Sequence, residues 1–128
     1  ALRAHSWTPL VASDPLLDRA AAAVARLADD ADPALADDWR RKVEAWRERV
    51  AHPVGDDPTL ASAYRGGAMH VLSTDDRLTS PGGGATVRGR VETSVREPAA
   101  FAALFDPASV YEHAVGGSYE GPDSDPRG

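Results

Sequence analysis

Apolar residues return along this chain in two rhythms, and the switches between them outline its elements. TPLVAS, residues 8 to 13, is a short apolar run ending in polar residues, the pattern of a strand. Asp14 and Pro15 follow as an N-cap residue and a first-turn proline. Leu16, Leu17, Ala20, Ala21, Val24 and Leu27 then recur at helical spacing until the acidic stretch DDAD. A second helix, over residues 34 to 51, starts from Asp32 and Pro33. Leu35, Trp39, Val43, Trp46 and Val50 form its single apolar stripe, while Arg40, Arg41, Lys42, Arg47 and Arg49 occupy the other faces, and HPVG ends it.

A third helix opens at Asp56, Asp57 and Pro58, buries Leu60, Ala61 and Tyr64, and stops at Gly66 and Gly67, where a residue without a Cβ permits a left-handed cap. AMHVLS then reads as the second strand, with Asp75 and Asp76 as a turn behind it. SPGGGA, residues 80 to 85, is a loop, because three consecutive glycines hold neither helix nor strand. TVRGRVETSV supplies one or two edge strands broken at Gly89, EPAAFAALF and DPASVYEHAV read as short helices, and GGSYEGPDSDPRG as a disordered tail. Strands alternating with helices predict an α/β domain with a mainly parallel sheet. Its expected extent is residues 1–115, with 116–128 as the tail. ALRAHSW at the start has the look of the last turn of a helix whose beginning is absent.

Composition narrows the chemistry. With 128 residues, 42% of them hydrophobic, the chain is sized for one domain with a real core. It has no cysteine, which removes disulfides and thiolate metal sites and suits a reducing cytoplasm. No apolar run reaches the roughly 20 residues of a membrane span, so no membrane association is expected. A net charge of -6 argues against a broad basic surface for nucleic acid, though the arginines of the second helix leave room for a local one. His5, His52, His70 and His113 lack paired metal-ligand spacing.

The acids are the candidate chemistry. A helix over 57 to 65 is about 13 Å long and a strand over 69 to 73 about 16 Å, at their standard rises. The two lengths nearly cancel, so a chain leaving one sheet edge at Asp57 returns to it at Asp75. Asp14 and Asp18, just after the first strand, belong to that same edge, where open α/β sheets place their ligands. Crowded carboxylates call for a positive partner, and a hard divalent cation is the usual one. The same acids have ordinary explanations too: Asp14, Asp18, Asp56 and Asp57 sit where acidic residues cap helices, and Asp75 and Asp76 are common turn residues.

At these residues the chain resembles a known family. DDPTLASAYRGGAMHVLSTDDRL, residues 56 to 78, is similar to the core of the PIN domain, a family of metal-dependent ribonucleases. There an Asp opens a helix of small residues, a Gly-Ala turn follows, and a hydrophobic strand ends in Thr or Ser, any residue, then Asp. SVREPAAFAALF resembles that family's last strand, proline and Phe-containing helix, and VASDPLLDRA its second strand and an acid-bearing helix. The likeness spans residues 8 to 105. The family's first strand, with its first catalytic Asp, has no counterpart here and would lie upstream of Ala1, and Asp18 followed by Arg19 stands where the family usually has Glu.

The resemblance implies a three-layer domain with a mainly parallel central sheet and helices on both faces. It implies hydrolysis of RNA phosphodiesters with Mg²⁺ or Mn²⁺, with Asp57, Asp75 and Ser73 as catalytic residues. Asp57, Asp75, Asp18 and Asp76 become the candidate metal ligands, and Ser73 orients the cluster. RNA is the implied substrate, and a protein inhibitor or a second copy the further partner. The competing expectation is a PIN-like module, its cluster decayed, that binds RNA or a protein.

Overall fold

In the computed structural model the described residues are 2–28, 32–82 and 93–125. A 3₁₀ turn, Leu2–Ala4, leads into β1, Leu10–Ala12, and α1, Asp14–Ala28. Next come α2, Leu35–Trp46, and β2, Arg47–Arg49, then α3, Pro58–Gly66, and β3, His70–Leu72. The remainder is α4, Asp76–Thr79, β4, Ser94–Arg96, α5, Pro98–Leu104, and α6, Pro107–Ala114. The class is mixed α/β. Among the described residues every strand pairing is parallel, but the strands form two separate pairs, β1 with β2 and β3 with β4, where the sequence leads to one central sheet.

The local signals behind α3 are visible in full. Asp57 caps it, its carboxylate accepting from the amides of Thr59 (2.9 Å) and Leu60 (3.1 Å), and Gly67 ends it in the left-handed region at φ 62°. Ala61, Ser62 and Ala63 face inward, whereas Tyr64 stays half exposed and donates its hydroxyl to Asp56 (2.5 Å). Leu17 of α1, Val43 of α2, Val71 of β3 and Phe101 of α5 supply the larger buried apolar side chains.

The second helix ends earlier than its apolar stripe predicts. α2 stops at Trp46, and Arg47 turns extended to begin β2. The Arg47 guanidinium is buried, donating to the carbonyl of Ala12 (2.8 Å) and to the carboxylates of Asp14 (2.5 Å) and Glu44 (2.7 Å). Those bonds, with the register Leu10↔Arg47 through Ala12↔Arg49, exceed what one more helical turn would offer an Arg-Glu-Arg segment. Val50 is therefore not part of a helical stripe; its amide reaches back to Ala12.

Two further segments differ from expectation. The Asp75–Asp76 turn continues into the short helix α4, and the end of TVRGRVETSV enters the strand Ser94–Arg96; residues 86–92 of that stretch, with its break at Gly89, and residues 83–85 of the glycine loop lie outside the described residues. Where the sequence leads to a disordered tail, residues 116–125 run back over the start of the chain. His5 bonds the Tyr119 hydroxyl (2.7 Å), and the amides of Asp123 and Ser124 donate to Ala4. No helix among the described residues is long and apolar enough to cross a membrane.

Candidate functional site

One helix, α3, fixes where the acids sit. Near its end Gly66 meets the middle of β1: a Cβ there would lie 2.6 Å from the Cβ of Val11, so only glycine allows this approach. One turn earlier, the buried Ser62 hydroxyl accepts the amide of Ser13 (2.9 Å) and bonds the Ser13 hydroxyl (3.0 Å), just past the end of β1. Another turn back, Asp57 and Thr59 both take the guanidinium of Arg19 from α1, Asp57 at 3.2 Å. α3 thus runs opposite to β1. It also packs on β3, which follows it after a tight turn. The carboxyl ends of β1 and β3 therefore open toward the same end of α3, the end that carries Asp57.

Asp75 stands on that rim. Its amide donates to the Ser73 hydroxyl (3.0 Å) and its carboxylate caps α4 through the amide of Arg77 (2.9 Å). The Arg77 side chain closes back on it in a two-pronged pair (3.0 and 2.6 Å). Those bonds hold the Asp75 carboxyl down to about 2, with Arg19 adding a small pull of its own. At Asp57 burial raises the carboxyl, but the amide of Leu60 and the guanidinium of Arg19 outweigh it and the net shift is downward. Arg77 in turn is held in its charged form chiefly by Asp75, with a contribution from Asp57. Each arginine thus bonds one of the two acids, Arg19 to Asp57 and Arg77 to Asp75, and acts on the other only through its charge.

The other acids are placed differently. Asp18 turns from the rim and pairs with Arg40 of α2. Asp14 pairs with Arg47 and Arg49, which lower its carboxyl, Arg47 most. Asp76 lies in the first turn of α4. Arg41 pairs with Asp38, so four of the arginines expected on the second helix have acidic partners. Among the described residues no group of three or more His, Cys, Asp or Glu side chains is gathered to hold a metal ion.

Sequence reasoning overlooked Arg19, Thr59 and Arg77. Arg77, next to the acidic pair, was the most accessible of them, since a residue two past a capping Asp can fold back onto it. Arg19 depends on how α1 is rotated against α3, which no local pattern reports.

A family model matches residues 1–127 of the chain. The chain belongs to DUF7384, a family of unknown function. No curated protein and no solved structure matches it. Membership in DUF7384 extends over both strand pairs and the rim between them, and carries no activity with it.

Proposed function

We propose that the chain is a PIN-like, Mg²⁺- or Mn²⁺-dependent ribonuclease acting at the rim of Asp57 and Asp75. What supports this reading is a pair of carboxylates distant in sequence, Asp57 capping α3 and Asp75 following β3, both held ionised and each within the electrostatic reach of the other's arginine. Their donor set suits the cation. Mg²⁺ is commonly held by one or two carboxylates, its other positions going to water and substrate phosphate.

Asp57 and Asp75 are the ligands in this reading, with Asp76 as an outer candidate; Asp18, drawn to Arg40, is the weakest of the four. When bound, such a cation acidifies a water and offsets charge on a phosphate. Ser73 is the positioning residue, because its hydroxyl fixes the turn that aims Asp75. Arg19 and Arg77 sit at solvent-exposed pairs of small worth, and they are free to exchange the carboxylates for the phosphates of an RNA strand.

The second reading, a PIN-like module that binds RNA or protein without cutting, is favoured by one observation: both rim acids already have arginine partners. A calorimetric Mn²⁺ titration with a parallel RNA cleavage assay separates the two. The ribonuclease reading expects Mn²⁺ binding and metal-dependent cleavage, both lost by at least about 100-fold in Asp75→Asn. RNA binding with no Mn²⁺ heat and no cleavage supports the module, and cleavage undiminished in Asp75→Asn removes Asp75 from the mechanism.

A further inference from the structure

Every oxygen of the two rim carboxylates already accepts a hydrogen bond. On Asp57, Oδ1 takes the amides of Thr59 and Leu60, and Oδ2 takes Arg19. On Asp75, Oδ1 takes the amide of Arg77, and the Arg77 side chain reaches both oxygens. The two kinds of bond differ in what holds them. The amides belong to helix starts, and losing them would uncap α3 and α4. The guanidiniums stand in solvent, Arg77 86% exposed and Arg19 50%, in pairs that open easily.

A cation reaching these acids therefore displaces the side chains and leaves the caps in place. The released guanidinium then stands beside a like charge. What relieves it is an anion that takes the same two-pronged grip, and phosphate matches that fork as carboxylate does. Arg19 keeps a second foothold, the Thr59 hydroxyl, when Asp57 lets go. The side-chain hydrogen bonds of Arg77 all go to Asp75, so Arg77 makes the cleaner exchange.

We propose that Arg77, supported by Arg19, is a built-in competitor of the cation, drawn off Asp75 by the phosphates of an RNA strand, so that metal and RNA each strengthen the binding of the other. This rests on the ribonuclease reading of the rim and adds an order to it. Without RNA the chain's own arginine closes Asp75 to the metal; with RNA in place the acid is open. Because the coupling is a property of binding equilibria, it is the same factor seen from either ligand.

The probe is a fluorescein-labelled 2′-O-methyl hexauridylate, which carries the phosphates of RNA. Calorimetry follows Mn²⁺ binding to the 128-residue chain, to Arg77→Gln and to Arg96→Gln, each with and without the hexanucleotide at saturation. Arg96 is the charge control. Its carbonyl accepts the Ser73 amide (3.0 Å), beside the turn that aims Asp75, and its exposed side chain makes no ion pair among the described residues. Without the hexanucleotide, Arg77→Gln should bind Mn²⁺ about threefold to fivefold tighter than the parent, and the difference should close when the hexanucleotide is present. Arg96→Gln should stay near the parent, its charge being screened by solvent. In the parent, the gain in Mn²⁺ affinity on adding the hexanucleotide should equal the gain in hexanucleotide affinity that anisotropy reads on adding Mn²⁺. Equal Mn²⁺ affinity of Arg77→Gln and the parent, an equal gain in Arg96→Gln, or weaker Mn²⁺ binding with the hexanucleotide present would each overturn the proposal while the ribonuclease reading stands. Mn²⁺ heat absent from all three proteins, with and without the hexanucleotide, would overturn both.

Discussion

The two strand pairs are held together by opposite means. β1–β2 is a charged assembly: its outer strand is Arg-Glu-Arg, and the buried Arg47 guanidinium ties it to Ala12, Asp14 and Glu44. β3–β4 is an aromatic and apolar one: Val71 is buried, and Phe101 lies edge-on to His70 at 5.2 Å and stacks on Phe105 at 5.1 Å. An ionic clamp works through a few directional bonds that depend on protonation. Ring packing works through area and shape, and is indifferent to pH except where a histidine is included.

Truncating a ring should have the largest effect. Phe101→Ala is expected to cost about 3 kcal/mol, as for other buried phenylalanines, and in amide exchange β3–β4 should open before β1–β2. Arg47→Met keeps the stem but leaves the Ala12 carbonyl with only the long bond from the Val50 amide (3.4 Å) and Asp14 with Arg49 alone. A loss of about 2 kcal/mol is expected, below that for fully buried pairs because Asp14 and Glu44 are partly exposed. Chemical denaturation should read this loss, with β1–β2 now opening first. Equal opening of both pairs in either variant would show that the split sheet does not divide the molecule energetically.

Acid should separate the pairs more gently. Burial, and to a lesser degree Arg96, lower the His70 imidazole below its ordinary 6.5. The folded state therefore resists its protonation, and stability tied to His70 is present above 6.5 and declines as pH falls below it. The Asp14 carboxyl is lowered from 3.8, so the stability it lends is present above that value and declines only as pH falls through its folded pKa. Exchange followed from pH 7 to 3 should thus show β3–β4 loosening first and β1–β2 only in the last interval. His70→Gln should erase the early phase alone.

Much of this was legible from residues that act locally. Asp57, Pro58 and Gly67 specify α3 without help from the rest of the chain, and the matched lengths of α3 and β3 suffice to bring Asp75 back toward the level of Asp57. β2 was hidden because Val50 falls four residues after Trp46, which carries a helical rhythm straight across the helix's end. Only the bonds from Arg47 to a strand 35 residues earlier decide against it. The splitting of the sheet was equally invisible, since pairing partners are a property of the assembled fold. Arg19 joined the rim for the same reason.

The contact between Gly66 and Val11 reaches beyond its own surroundings. Because α3 is pinned one turn away by the two buried serines, that pin serves as a fulcrum and the helix as a beam. Any bulk added at position 66 would lift one arm and dip the other, carrying Asp57 out of line with Asp75. A methyl group two turns from the rim would act there by leverage alone.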